Sequence, residues 1–359
     1  MSDKPNTICF FNSHVHWGGG EKWHAEAAEY LYAEDYPVLM CASRNSELHK
    51  RIIQSVPVYS VSLSNVSFFN LYKYIKLVRF FKKENVHTII LCLPIDVKVA
   101  GVAAKIAGVK NIVYRRGSAI PIQNSWYNRF LFSHIITRII ANSQATVNTI
   151  LHNNAHLFPR ENISVIYNGI TIPPVYKKIQ NAVPVIVSAG RLEHQKNFSC
   201  LISVATMLKR RNYTFRILIA GEGSLYAKLQ DEIHQNDVAD CVELVGFTTD
   251  IYTFLSQGDI FVLPSFWEGF GYVLAEAMTQ ELPLVAFDIS SNKELITNGK
   301  NGILVEEKNT LAYADAIAKL LDSEQLRTEM GQEGRKIVCK VFSAEHAHTR
   351  IKNFIQELE

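Results

Sequence analysis

Glu268 and Glu276 stand eight residues apart in Pro264-Ser265-Phe-Trp-Glu268-Gly269-Phe270-Gly271-Tyr272-Val-Leu-Ala-Glu276. Carboxylates are bidentate acceptors, suited to the paired hydroxyls of a sugar or a ribose. The apolar run Ile260 to Leu263 predicts a buried parallel strand, Pro264 to Gly271 a glycine-containing turn, Tyr272 to Thr279 a helix, and Pro283 to Phe287 the next strand. In an open parallel sheet, ligands bind beyond the carboxyl ends of the strands, and the amino end of the following helix favours an anion. At about 100° per residue, helical spacing would bring positions eight apart to within roughly 80° of one another, so both carboxylates are expected to face one cleft. Taken singly, Glu276 reads as a solvated helix residue and Glu268 as a loop charge. The combination favours a site.

That combination resembles the Glu-x7-Glu signature of family 4 glycosyltransferases, retaining enzymes of the α/β GT-B fold, in which two Rossmann-like, doubly wound domains face each other across a cleft. The resemblance covers nearly the whole chain, and its best motifs lie in residues 185 to 305. It implies transfer of a sugar from a nucleoside-diphosphate sugar, with UDP or GDP as nucleotide, to a glycan or lipid-linked saccharide in bacterial lipopolysaccharide, capsule or another envelope polysaccharide. On that reading the Gly190-Arg191-Leu, four residues, Lys196-Asn197 run supplies two cations after a strand end. Cations fixed there would stabilise the charge that develops on a diphosphate leaving group, so no metal or other cofactor is expected. The chain also has no Asp-x-Asp and no H-E-x-x-H run. Arg191, Lys196, Glu268 and Glu276 are therefore the catalytic candidates.

The same resemblance draws in further residues. Gly221 and Gly223 match a Gly-x-Gly turn beneath the nucleotide, and Phe247 follows a segment whose backbone pairs with the base, although Phe247 reads equally as core. Gly269, Phe270 and Gly271 join the donor set. Near the amino terminus, Gly19 and Gly20 with Glu21 match a loop lining the donor diphosphate and the acceptor, with His14 and His16 nearby as acceptor candidates together with Glu21. By composition alone, the three glycines from Gly18 make a flexible turn.

Several positions depart from the family pattern. Arg116 occupies the place of a histidine close to the reacting sugar and is expected to hold the donor diphosphate or an anionic acceptor. Glu281 stands where glycine is common, Ile289 to Asn292 replaces a Gly-rich turn, and Tyr272 replaces a smaller aliphatic residue.

The elements that must position these residues follow from the rest of the chain. Its 359 residues, 48% of them hydrophobic, suffice for two domains with their own cores. The net charge of +3 gives no argument for nucleic acid. Six scattered cysteines without a C-x-x-C pair read as reduced thiols of a cytosolic protein. Met-Ser-Asp-Lys-Pro lacks the features of a signal sequence, and no apolar run approaches about 18 residues. A cytoplasmic location is expected, with peripheral contact to the inner membrane face as an option.

A strand at Ile8 to Phe11, a polar turn Asn12 to Gly20 and a helix from Glu21 to about Tyr32 open the first domain. Strands recur at Val38, Val58, Thr88, Asn111, Arg138 and Ser164, and the alternation with helical stretches predicts a parallel sheet. Phe68 to Asn85 interleaves Lys73, Lys76, Arg79, Lys82 and Lys83 with aromatic and aliphatic residues. It reads either as a helix packed on the sheet with a solvated basic face or as a helix lying on an anionic membrane. Pro173-Pro174 marks a linker over residues 171 to 180. An acceptor-binding domain is expected over 1–170, with a C-terminal helix 344–359 packing back on it, and a nucleotide-sugar-binding domain over 171–343. A sugar-nucleotide epimerase of similar fold and a non-catalytic GT-B adaptor remain open.

Overall fold

The computed structural model describes residues 5–64, 66–177 and 181–359. Residues 178–180 of the expected linker and residues 1–4 of the segment lacking a signal sequence lie outside them. The chain forms two compact units, Met1–Gly169 with Ala347–Glu359, and Ile170–His346.

In the first unit, β1 (Thr7–Asn12), β2 (Val38–Ser43), β3 (Val58–Val61), β4 (Val86–Leu91), β5 (Asn111–Arg116), β6 (Arg138–Ala141) and β7 (Ile163–Val165) form a seven-stranded sheet in the order β3-β2-β1-β4-β5-β6-β7. Every pair is parallel. Near-continuous apolar runs such as Ile8 to Phe11 are buried, as a sheet covered by helices on both faces requires. One face packs under Leu77, Phe81 and Ile135, the other under Trp23, Leu31, Ile351 and Phe354. Within this unit the C-terminal residues are held by Tyr30 stacked on His348 at 4.3 Å, and by Asn111 Nδ2 donating to the Leu358 carbonyl at 3.1 Å.

The second unit contains β8 (Val185–Ala189), β9 (Arg216–Ala220), β10 (Val242–Gly246), β11 (Ile260–Leu263), β12 (Leu284–Phe287) and β13 (Gly302–Val305), paired in parallel in the order β10-β9-β8-β11-β12-β13. Both sheets therefore reverse direction once, between β1 and β4 and between β8 and β11. A reversal of this kind opens a crevice at the carboxyl ends of the two central strands, because their connections depart to opposite faces.

Local chemistry sets the helix limits. Ser143, Asp250 and Asn309 accept the backbone N–H three residues on and cap the helices that follow. The helix Tyr272–Thr279 ends in a Schellman turn: Glu281 N donates to the Met278 carbonyl at 3.2 Å and Leu282 N to the Ala277 carbonyl at 3.3 Å. Glu281 takes the left-handed conformation (φ 57°) that this turn demands, which gives the glycine common at this position its physical reason.

Three sequence expectations need correction. The first helix begins at Gly19, not Glu21, so Gly19 and Gly20 form its first turn. Lys73 does not face outward with the other cations of the helix Leu71–Lys83, since its Nζ donates to the Ser62 carbonyl at 2.6 Å and to Ser67 Oγ at 2.8 Å. Glu268 lies outside the helix that begins at Tyr272, so helical spacing does not relate it to Glu276.

Candidate functional site

The reversal between β8 and β11 brings together the two loops that carry most of the candidates. The loop after β8 runs from Gly190 to Asn197, and the loop after β11 from Pro264 to Gly271. They are joined along their length: Phe266 N donates to the Gln195 carbonyl at 2.9 Å, Gln195 Nε2 to the Trp267 carbonyl at 2.7 Å, and Asn197 Nδ2 to the Pro264 carbonyl at 3.1 Å. At their centre Lys196 Nζ donates to Glu268 Oε1 at 2.6 Å, with the two side chains only 13% and 8% exposed. Ser265 Oγ donates to the same carboxylate oxygen at 2.7 Å, and Ser291 Oγ to the Glu268 carbonyl at 3.3 Å. Two buried, opposite charges are thus fixed beside the amino end of the helix Tyr272–Thr279.

Gly271 (φ 84°) turns the chain into that helix, where the partial positive charge of its amino end adds to the Lys196 ammonium. Glu276 sits half-buried one turn further on, and Gly269 and Phe270 line the approach, Phe270 buried against Phe342 at 5.6 Å. Arg191 is exposed beside the Glu193 carboxylate, which accepts from Ser224 N and Oγ. Those donors hold the Glu193 carboxyl below its usual range, Arg191 adding to the effect.

The Gly-x-Gly turn has a packing role of its own. A Cβ on Gly221 would fall 1.9 Å from the Gly190 carbonyl oxygen, and one on Gly223 would fall 2.4 Å from the Leu192 carbonyl oxygen. The loops after β8 and β9 thus pass backbone against backbone. Phe247, beyond β10, is 67% exposed and is no part of the core.

In the first unit, the reversal between β1 and β4 joins another pair of loops. Asp96 is fully buried and accepts from Ser13 Oγ at 2.5 Å and from Leu93 N at 3.0 Å. Burial pushes its carboxyl up to about 7 despite these donors. Glu21, on the first helix, is also buried; Asn12 Nδ2 donates to its Oε1 at 3.2 Å and His14 Nδ1 lies 3.2 Å from the same oxygen. The His16 ring packs on His14 at 5.7 Å. Gly20 passes close to β4's end, where a Cβ would sit 3.2 Å from Cys92 Sγ.

At the end of β5, Arg115 donates to Asn168 Oδ1 at 2.7 Å and lies over the Trp23 ring at 5.1 Å. Arg116 is buried and donates to Tyr114 Oη at 3.2 Å and to the Ile120 carbonyl. These bonds tie down the loop after β5, and Nε has no hydrogen-bond partner among the described residues. Sequence reasoning missed Ser265, Gln195, Ser291, Ser13 and Asp96. Their common signal is position: each lies in a loop at a central strand's carboxyl end or in contact with one.

The model of the family described as "Glycosyl transferases group 1" matches residues 176–337, and that described as "Glycosyltransferase Family 4" matches residues 17–172. Alpha-D-kanosaminyltransferase of Streptomyces kanamyceticus is 32% identical over 49% of this chain and 46% of its own length. An N-acetylgalactosamine-N,N'-diacetylbacillosaminyl-diphospho-undecaprenol 4-alpha-N-acetylgalactosaminyltransferase of Campylobacter jejuni is 28% identical over 57% of each chain. The chain spans about half the length of these curated relatives. Among solved structures, a glycosyltransferase from Rickettsia africae aligns with a TM-score of 0.88 at 20% identity, covering 99% of both chains. The Anabaena protein HepE in complex with UDP and glucose aligns with a TM-score of 0.84 at 21% identity, covering 98% of this chain and 100% of that one.

Proposed function

We propose that this chain of GT-B fold is a retaining, metal-independent family 4 glycosyltransferase that moves a sugar from a UDP- or GDP-sugar to a glycan or lipid-linked saccharide of a bacterial envelope polysaccharide, at the cytoplasmic face of the membrane. The observation that carries this reading is the Lys196–Glu268 pair, held at 2.6 Å at the reversal of the second sheet and beside a helix amino end. Lys196, Arg191 and the amides near Gly271 take the donor diphosphate. Glu276 accepts from the ribose hydroxyls and Glu268 from those of the sugar. The acceptor hydroxyl oxygen bonds to the anomeric carbon from the face that the leaving group vacates. The carbon–oxygen bond to the diphosphate breaks, and the acceptor's proton passes to the departing phosphate oxygen. Charge gathers on the diphosphate as this happens, so fixed cations lower the barrier more than they tighten ground-state binding.

Support for a UDP donor comes from the structural relative with UDP and glucose, and support for a lipid-linked saccharide from the Campylobacter relative's acceptor. The test is proton NMR of early product from an α-configured donor. An α-linked product is expected, and a β-linked one would overturn the retaining assignment. Arg191→Ala should reduce turnover by on the order of 10² to 10³, the cost of one preorganised electrostatic donor.

A further inference from the structure

The second unit holds a cavity at the edge of its sheet opposite the candidate site. It has a volume of about 230 Å³ and lies between the amino ends of β11 and β12, the end of the helix Tyr272–Thr279 and the start of the helix Glu324–Val341. The loop that carries Glu268 leaves the carboxyl end of β11, so the four residues of that strand, about 13 Å of extended chain, separate the two places. Leu255, Leu282 and Pro283 supply apolar surface, and Tyr176 forms a wall. Tyr176 is fixed there: its backbone N donates to Gln280 Oε1 at 2.9 Å, and its ring stacks on Tyr252 at 6.1 Å.

Charge in this cavity is one-sided. Asp259, Glu281 and Glu324 line it against a single guanidinium, that of Arg327. Arg327 Nη1 is turned to the Leu320 and Leu321 carbonyls, at 2.7 and 3.1 Å, and Asp259 Oδ2 accepts from Val185 N at 2.8 Å. The Glu281 and Glu324 carboxylates have no hydrogen bond or ion pair among the described residues. Glu281 is also strained where it stands. At φ 57° a Cβ crowds the backbone and glycine does not, so a carboxylate kept here costs stability. The turn is held firmly, because the helix Glu324–Val341 crosses it so closely that a Cβ on Gly331 would fall 1.9 Å from the Glu281 carbonyl oxygen. A strained residue on a cavity wall points to a role other than folding.

We infer that this cavity is a second ligand site that takes a small organic ammonium, its nitrogen held by the Glu281 and Glu324 carboxylates and its apolar body over Leu255, Leu282 and Pro283. Three carboxylates against one guanidinium select a cation, and the apolar floor selects an organic one over a hydrated metal ion. A cavity of about 150 Å³ holds benzene, so the larger volume here accommodates roughly nine non-hydrogen atoms. The Tyr176 ring adds a π face, which favours a cation again. The inference stands on the amino edge of the second sheet alone, goes beyond the transferase reading and does not rest on it.

The experiment is a ligand-observed NMR titration of the full chain with 2-phenylethylamine, which has this size, beside 2-phenylethanol and 3-phenylpropionate. The amine should bind, the alcohol should bind more weakly by on the order of tenfold, and the carboxylate should not bind. A partly exposed charge pair is worth up to roughly fivefold in affinity, so Glu281→Gln and Glu324→Gln should each weaken the amine by about that factor. Glu281→Gly should do the same without lowering the thermal midpoint, which separates lost binding from lost folding. Thr328→Tyr, a substitution at an exposed helical position on the cavity wall, should fill the space and abolish binding. UDP and magnesium chloride should leave the amine in place. Absence of amine binding, an alcohol that binds as tightly as the amine, displacement by UDP or by magnesium, or Glu281→Gly and Thr328→Tyr variants that bind like the native chain would each overturn the inference.

Discussion

Replacing Lys196 by alanine removes the cation from a pair in which neither partner is more than 13% exposed. The Glu268 carboxylate then still accepts from Ser265 Oγ at 2.7 Å. Breaking a buried pair on one side leaves an uncompensated charge and costs about 3–5 kcal/mol, several times a surface ion pair. Lys196→Ala combined with Glu268→Gln should therefore be more stable than Lys196→Ala alone. The assay is chemical denaturation of the four proteins of this cycle at pH 7.5, following the transition of the second unit. The expected coupling is on the order of 2 kcal/mol or more. A single-variant loss within about 0.5 kcal/mol of zero, the range of an ordinary surface substitution, would refute the reasoning.

Three other substitutions test separate parts of the structure. Glu281→Gly should stabilise the protein by about 0.5–1 kcal/mol in thermal unfolding, because glycine takes the left-handed Schellman position (φ 57°) without strain but loses more backbone entropy; a lower midpoint would contradict this. Asp96→Asn should flatten the pH dependence of stability. With its pKa raised from 3.8 to about 7 by burial, the folded protein holds a proton that the unfolded chain releases, so Asp96's contribution is full below about pH 4 and is lost as pH rises to 7. Integrated over that window the effect is at most about 4 kcal/mol, and denaturation midpoints of the variant that fall with pH as steeply as those of the native chain would count against it. Gly221→Ala, whose Cβ would lie 1.9 Å from the Gly190 carbonyl oxygen at φ 147°, should force the β8 and β9 loops apart and cost about 2 kcal/mol or more, read as a lowered midpoint.

Parallel strands were legible in the sequence because each is a short apolar run buried on both faces, and Ile260 to Leu263 and Ile8 to Phe11 are found where their composition puts them. The loops that carry the two cations and Glu268 were legible because a strand end followed by glycine marks a turn, while the residues themselves were picked out by the resemblance. Their mutual contact was not, since strand order, rather than spacing along the chain, sets β8 beside β11. The helical argument for Glu268 and Glu276 failed for a related reason: Gly271 starts the helix after Glu268, and a loop follows no 100° period. Asp96 was invisible because a lone aspartate five residues past a strand looks like any surface charge until Ser13 is found above it. Glu281 had no account in the sequence, as backbone sign is not written in residue type. Lys73 read as one more cation of a basic face, and only its bonds to Ser62 and Ser67 reveal that it is a local tie.

The central claim, a nucleoside-diphosphate site built around Arg191, Lys196, Glu268 and Glu276, is tested most directly by thermal unfolding with UDP, GDP, ADP and CMP, each with and without EDTA. A ligand at about 100 times its dissociation constant that binds only the folded state adds roughly 2.7 kcal/mol and raises the midpoint by several degrees. The account predicts that UDP or GDP does so, unchanged by EDTA, and that Lys196→Ala abolishes the shift. No shift with any of the four nucleotides, or a shift that EDTA removes, would contradict it.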